Sequence, residues 1–136
     1  MDNNTGNEFQ LSQSMQLDMI NMFMELISKH DNLVVFYKTK RKYELDMLLE
    51  KVPALCEMID DNKVVVCLAK EHGRRYPPAT IGMASDLVVG LGINTAAAEC
   101  YFAGCDVIYA NLPKLKGGTF VMKSKGLLMF DDVDSI

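Results

Sequence analysis

The chain has 136 residues, a length that suits one compact domain and hardly two. It is 49% hydrophobic and 24% charged, which is typical of a folded soluble protein. Its net charge of -4 argues against nucleic-acid and membrane-surface binding, because both need clustered positive charge. No apolar run is long enough to span a bilayer, and MDNNTGNEFQ is no signal peptide.

The first half of the chain predicts two helices, a strand and a helical turn. Apolar residues recur at helical spacing from Leu11 to about Lys29, which predicts an amphipathic helix. The segment NLVVFYK is rich in β-branched and aromatic residues and predicts a strand. YELDMLLEKV predicts a second helix, which Pro53 interrupts. PALCEMI then predicts a further helical turn with proline near its first position.

The second half alternates short apolar runs with helical segments. KVVVCLA, DLVVGLG and DVIYA predict buried strands, and GLLMF predicts one more short strand. PPATIGMA predicts a short helix or a loop, and NTAAAECYFA predicts the third main helix. NLPKLKGG predicts a loop.

This order of elements predicts the fold class. The strands are short and apolar without clean alternation, which is typical of a parallel sheet with helices on both faces. We therefore expect a Rossmann-like α/β domain, doubly wound in three layers, over residues 11–136. The polar residues 1–10 are expected to form a flexible N-terminal segment.

The four cysteines, at positions 56, 67, 100 and 105, form no CxxC pair. Buried reduced thiols are the preferred interpretation, and the absence of paired ligands argues against a zinc site or any other metal site. Cysteines used in this way favour a reducing cytoplasm.

The segment SDLVVGLGINTAAAE predicts a candidate ligand site. Ligands of a doubly wound sheet bind at the carboxyl ends of the strands, where Gly90 and Gly92 permit tight turns and close backbone approach. Asn94 or Thr95 can cap the next helix, whose first amides suit a phosphate. Glu99 follows about one turn later, and its carboxylate can accept hydrogen bonds from a ribose diol.

The residues alone leave a second reading open. GLG is not the GxGxxG fingerprint, and glycine after a strand often serves only the turn. Glu99 can equally be a solvated helix residue. The pattern by itself therefore supports nucleotide binding and a plain structural turn about equally.

The stretch SDLVVGLGINTAAAECYFAGCDVIYAN resembles the nucleotide-sugar-binding motif of GT-B glycosyltransferases, most closely their capsular and surface polysaccharide branch. There a strand ends in a glycine turn, a Ser/Thr-rich helix start follows, and a glutamate precedes a glycine and a strand. VVFYKTKRKYELDMLLEKVPALCEMI and the tail KGLLMFDDVDSI are similar to flanking segments of that branch. The resemblance covers roughly residues 11–136 and implies one half of a GT-B fold, the C-terminal donor-binding half.

The resemblance also implies roles for the residues of the glycine turn and helix. Glu99 would hold the ribose of a nucleotide-sugar donor. Asn94 and Thr95, with nearby amides, would hold the pyrophosphate, and Gly90 and Gly92 would shape the turn that lets it approach.

Basic residues elsewhere are implied to complete the donor site. Lys40 and Arg41, at the end of the first predicted strand, would lie over the donor phosphates and offset the charge of the leaving group. A solvated basic turn is an equal alternative for KTKRK. His72, in KEHGRRYPP, would touch the base or phosphate, while a plain surface loop is its alternative. No cofactor is expected, because the nucleotide-sugar is a substrate.

The chain departs from the GT-B pattern in lacking an acceptor domain and a general base. We therefore expect it to bind a donor and to be inactive until an acceptor domain or subunit joins it, as a homo- or hetero-oligomer. A partner would bring it to the membrane face of the cytoplasm. The expected function is donor binding in a glycosyltransferase that builds a surface polysaccharide or glycan.

Two alternatives remain open. The chain can be a non-catalytic nucleotide-binding or regulatory module, which the missing second domain favours. It can also be half of a UDP-sugar 2-epimerase. Such enzymes require further acidic residues and a histidine in the cleft, and only His72 is available for the histidine role. The sequence leaves the sugar, the base, the acceptor and the stereochemistry undefined.

Overall fold

The computed structural model of the chain describes residues 13–68, 70–71, 74–92, 94–110 and 129–130. Over these ranges the chain is a mixed α/β protein whose longer strands pair in parallel. None of the helices in them is long and apolar enough to cross a membrane.

Helices and strands alternate through most of the described chain. The elements, in chain order, are α1 (Gln13–Lys29), β1 (Val35–Thr39), α2 (Lys42–Lys51), α3 (Ala54–Asp60), β2 (Val64–Leu68), β3 (Lys70–Glu71), β4 (Arg74–Arg75), α4 (Pro78–Met83), β5 (Val88–Leu91), α5 (Thr95–Phe102), β6 (Val107–Ala110) and β7 (Met129–Phe130).

Within the described ranges, the strands form three sheets. β1 and β2 pair in parallel, with Val35 opposite Val64. β5, β6 and β7 form a second parallel sheet in that order, with Val88 opposite Val107. β3 and β4 form a short antiparallel hairpin.

The first core, which we call the aliphatic core, lies between the β1–β2 sheet and helices α1 to α3. Large branched side chains fill it, and Leu48 and Leu55 are almost wholly inaccessible. Its buried members are Ile20, Ile27, Leu48, Val52, Leu55 and Val64. Burial of side chains of this size is the main stabilising contribution to this part of the chain.

The second core, which we call the compact core, lies where α5 packs on β5 and β6. Its buried members are smaller on average: Ala97, Cys100, Val107 and Tyr109. α4 packs on α5 at Gly82, where a Cβ would lie only 2.8 Å from Cys100 Sγ. Close approach of backbones, rather than large side-chain volume, therefore builds this second core.

Most of the predicted elements are confirmed. Pro53 separates two helices and lies at the N-cap of α3 with φ of -57°, a value that proline adopts without strain. PPATIGMA contains a short helix with Pro78 in its first turn. GLLMF contributes β7.

Three other expectations were wrong, were confirmed only in part or fall outside the described residues. The KEHGRRYPP segment, expected to be a loop, contains the β3–β4 hairpin. In the described residues the parallel strands fall into separate sheets of two and three strands. The α/β class is thus confirmed, while one continuous three-layer sheet stays a prediction. The expected flexible segment 1–10 lies outside the described residues.

Candidate functional site

The candidate site is the turn between β5 and α5, and Gly90 sets how closely these two elements approach. A Cβ built on Gly90 would lie 2.6 Å from Ala97 Cβ and 3.0 Å from the Tyr109 ring. Both distances are too short for ordinary contact, so a side chain at position 90 would push α5 away from the sheet. Gly90 is needed for packing, and this need is independent of any ligand.

Gly92 ends the strand and begins the turn. Its φ of +64° lies in the left-handed region, which favours glycine. Its amide donates to the Ala110 carbonyl at 2.8 Å, so pairing with β6 continues to this residue. A Cβ at position 92 would meet no described residue within 4 Å. The described surroundings therefore leave room above Gly92 for an approaching group.

Asn94 is the N-cap of α5. Its side-chain Oδ1 accepts a hydrogen bond from the Ala97 amide at 2.8 Å. Its Nδ2 donates to the carbonyls of Leu91 and Gly92, at 3.2 and 3.3 Å. These contacts fix the angle between turn and helix. The Asn94 side chain thus has a structural role, and its hydrogen-bonding groups are engaged within the turn.

The first turn of α5 leaves two backbone donors available. Asn94 satisfies the Ala97 amide, whereas the amides of Thr95 and Ala96 have no acceptor within the described ranges. Such amides point out of the helix start along its axis, where the helix dipole is positive. This arrangement suits an anion, and the exposed Thr95 hydroxyl lies beside it.

Glu99 lies one helical turn beyond Thr95, so the two side chains share a face of α5. Both are exposed. Among the described residues, the Glu99 carboxylate makes no hydrogen bond or ion pair. It is therefore accessible to a hydroxyl-bearing ligand that extends along this face from the helix start.

Lys40 and Arg41 lie at the carboxyl end of β1, between that strand and α2, and both are exposed. Arg41 turns towards its own helix: its Nη1 donates to the Tyr43 hydroxyl at 2.6 Å, and the guanidinium lies 5.7 Å from the centre of that ring. The hydrogen bond to Tyr43 raises the pKa of Arg41. Beneath them the buried Thr39 hydroxyl donates to Glu44 Oε2 at 2.8 Å.

The structure brings together only part of the predicted set. Gly90, Gly92, Asn94, Thr95 and Glu99 form one continuous strand, turn and helix. Lys40 and Arg41 follow a strand of a different sheet, and in the described part of the chain neither makes a hydrogen bond or ion pair with the glycine turn. Their expected place over the donor phosphates stays a prediction.

One predicted site residue, His72, lies outside the described residues. Across the described ranges, no group of three His, Cys, Asp or Glu side chains is placed to hold a metal ion.

One arrangement escaped the sequence reasoning. The sulfurs of Cys100 and Cys105 both lie against Gly82 of α4, 2.8 and 3.1 Å from where its Cβ would be. The signal was available in the sequence, because a glycine at position 104 marks the end of a helix and fixes the relation of the residues around it.

Comparison with known proteins identifies no relative of this chain. No family model matches it, no curated protein matches it, and no solved structure matches it. The resemblance to GT-B glycosyltransferases accordingly rests on the sequence motifs alone.

Proposed function

We propose that the chain binds the diphosphate and ribose of a nucleotide-sugar at the turn between β5 and α5, as the donor-binding half of a glycosyltransferase that builds a surface polysaccharide or glycan. One observation carries the proposal: the helix start presents the Thr95 and Ala96 amides without acceptors among the described residues, beside room above Gly92.

The arrangement of charge and hydroxyl groups supports a diphosphate followed by a sugar. Two outward amides and a helix dipole suit the phosphates. The accessible Glu99 carboxylate, one turn further on, suits a vicinal diol, which donates two hydrogen bonds. A ligand with phosphate at one end and ribose at the other matches this order along α5.

The proposal includes a single parallel sheet. Lys40 and Arg41 follow β1 as the glycine turn follows β5, and each lies at the carboxyl end of a parallel strand. If the two sheets join, both sets face the same edge, where ligands of α/β sheets bind. Val34, just before β1, and Phe36, on β1, are 45% and 41% exposed. Parallel sheets are normally covered on both faces, so this exposure is consistent with further elements packing on β1 when the two sheets join.

The first test is titration of the chain with UDP, GDP, CDP and ADP, followed by backbone amide shifts in NMR. We expect one nucleotide to shift the Thr95 and Ala96 amides in a saturable way. Inorganic phosphate should shift the same amides more weakly. Failure of every nucleotide to bind a chain that is folded by circular dichroism would overturn the proposal.

Two variants separate binding from stability. Asn94→Asp keeps an N-cap side chain that accepts from the Ala97 amide, but places a negative charge beside the phosphates. Because Asp cannot donate to the Leu91 and Gly92 carbonyls, we expect some loss of stability, and we expect the folded variant to lose at least tenfold in nucleotide affinity. Asn94→Ser, a neutral cap, should retain most of that affinity.

Glu99→Gln tests the ribose contact. Because the carboxylate is exposed and without hydrogen bonds in the described structure, its loss should leave stability unchanged while it weakens nucleotide binding several-fold. It should leave phosphate binding unaffected. The matched control is Glu57→Gln, which neutralises another exposed helical glutamate, on α3, and should change neither quantity. Equal effects of the two substitutions would argue for a general charge effect.

Transfer of the sugar is expected only where an acceptor site is supplied. The chain incubated with the nucleotide-sugar whose base it binds should release nucleoside diphosphate no faster than the buffer does. A purified chain that binds nucleotide yet never supports transfer with any added acceptor domain would instead fit a regulatory nucleotide-binding module.

A further inference from the structure

The C-terminal end of α5 holds two cysteines in a defined backbone motif. Cys105 N donates to Cys100 O at 3.0 Å, and Gly104 N donates to Tyr101 O at 3.0 Å. Gly104 has φ of +87°. This is the hydrogen-bond pair of a Schellman motif, in which the first and last residues have facing side chains. Cys100 and Cys105 occupy those two positions.

The sulfurs lie on the same side of the motif. The Cβ position of Gly82 in α4 lies 2.8 Å from Cys100 Sγ and 3.1 Å from Cys105 Sγ. Because both sulfurs lie close to this one Cβ position, the Cys100 and Cys105 sulfurs are also close to each other. Both cysteines are free thiols in this structure.

The backbone suits a bond between them. A disulfide needs Cα atoms roughly 4.4–6.8 Å apart and side chains that face each other. The direct hydrogen bond from the Cys105 amide to the Cys100 carbonyl brings the two residues into close range. Because residue 82 is glycine, both sulfurs can occupy the space beside α4 that a Cβ would otherwise fill.

The two thiols differ in accessibility. Cys100 is 3% exposed, and its thiol donates to the Pro78 carbonyl at 3.3 Å. Burial is the main cause that raises the pKa of Cys100, and the nearby Cys105 and Glu99 contribute further. Cys105 is only half-buried. An external oxidant therefore reaches Cys105 first, and Cys100 stands behind it as the second thiol.

We propose that Cys105 and Cys100 form a redox-active dithiol, which a small disulfide oxidant such as oxidised glutathione converts to an intramolecular disulfide. The Cys105 thiolate attacks one sulfur of the oxidant, forms a mixed disulfide and releases one glutathione thiolate. Cys100 then loses its proton and attacks the Cys105 sulfur, which releases the second glutathione. Two electrons and two protons pass from the protein to the oxidant.

The disulfide would change the contacts at one end of α5. Its formation removes the thiol that donates to Pro78, so the contact between α5 and α4 loses a hydrogen bond. It also joins the last turn of α5 covalently to the residues that lead into β6. The glycine turn lies at the other end of the same helix, whereas Glu99 is the neighbour of Cys100 in the chain. The proposal rests on the placement of the two thiols and does not depend on nucleotide binding.

The test uses the full chain, held first under reducing conditions and then with oxidised glutathione, and alkylated before digestion. Trypsin leaves both cysteines in one peptide, residues 76–114, while Cys56 and Cys67 fall in other peptides. We expect this peptide to be lighter by two hydrogen atoms and to carry no alkyl group. Chymotryptic cleavage after Tyr101 should give fragments that separate only on reduction.

Single variants identify the order of attack. Cys100→Ala should stop at a stable glutathione adduct on Cys105, whereas Cys105→Ala should leave Cys100 as an alkylatable thiol. Cys56→Ala is the control and should leave the disulfide yield unchanged. Original chain that is folded by circular dichroism but accumulates the glutathione adduct on Cys105, or leaves both thiols free, would overturn the proposal whatever the variants do.

Discussion

The aliphatic core and the compact core reach stability by opposite means. The aliphatic core is filled by six buried branched residues and has Leu48 at its centre with no exposed surface. The compact core is built from Ala97, Cys100, Val107 and Tyr109, with glycines where α4 and β5 meet α5. The first region should therefore be sensitive to loss of volume, and the second to added volume. The candidate site lies in the second region.

The largest effect is expected from Leu48→Ala in the aliphatic core. Truncation of a wholly buried leucine leaves a cavity and should lower the free energy of unfolding by about 2–5 kcal/mol. Urea denaturation followed by circular dichroism measures this. Glu50→Ala in the same helix is exposed and should change stability little. A small effect of Leu48→Ala would mean that this core is loosely packed.

Gly90→Ala should destabilise the compact core by adding volume to it. The new Cβ would lie 2.6 Å from Ala97 Cβ, so we expect a loss of about 1–3 kcal/mol in unfolding free energy. Ala97→Gly in the same chain should restore part of that loss, because it removes the atom in the way. Additive losses in the double variant would show that α5 does not pack on β5 at this point.

Gly92→Ala is the matched comparison for Gly90→Ala. Its Cβ would meet none of the residues that the structure describes within 4 Å, so among them only the left-handed φ of +64° opposes the change. We expect a loss of about 1 kcal/mol, smaller than that of Gly90→Ala. Chemical denaturation of the two variants side by side gives the ranking. A reversed ranking would mean that conformational strain outweighs crowding in this turn.

Asn94→Ala tests the cap that joins the compact core to the site. Loss of the hydrogen bond from the Ala97 amide to Asn94 Oδ1 should cost about 1 kcal/mol of unfolding free energy. Asn94→Ser should recover most of it in the same denaturation experiment. Equal losses in the two variants would show that the Nδ2 contacts to Leu91 and Gly92, which serine cannot make, are the ones that matter.

The smallest effect is a dependence on alkaline pH in the aliphatic core. Burial, and then the charge of Glu44, raises the pKa of Tyr37 to about 12 from 10.0. The neutral phenol is favoured in the folded chain, so its stabilising contribution is complete below pH 10.0 and is lost as pH rises through about 12. Burial also raises the pKa of Tyr109, so tyrosinate absorbance should show late-titrating groups, of which Tyr37→Phe removes one. If Tyr37→Phe leaves the late part of the titration curve unchanged, the Tyr37 phenol is exposed to solvent and not buried.

Local features of this fold followed from the sequence, and long-range ones did not. Helical spacing predicted α1, proline at position 53 predicted the break before α3, and apolar runs predicted β2, β5 and β6. These features depend on neighbours a few residues apart. Whether β1 joins β5 depends on contacts between distant segments, which periodicity does not encode.

The site shows the same division. The sequence predicted the glycine turn and a cap at Asn94 or Thr95, and the structure assigns the cap to Asn94. It did not predict that Ala97 and Tyr109 require a glycine at position 90, because that requirement depends on how closely α5 and β6 approach β5. A sequence does not distinguish a glycine that close packing requires from a glycine that allows a ligand to approach the backbone.

The register of the two parallel sheets has a consequence for how the chain folds. Val88 and Val107, which pair between β5 and β6, are separated in the chain by the single helix α5. Val35 and Val64, which pair between β1 and β2, are separated by both α2 and α3. Closing the shorter connection costs less chain entropy. The β5–α5–β6 unit is therefore expected to form early along the folding pathway, with its contacts already made in the transition state.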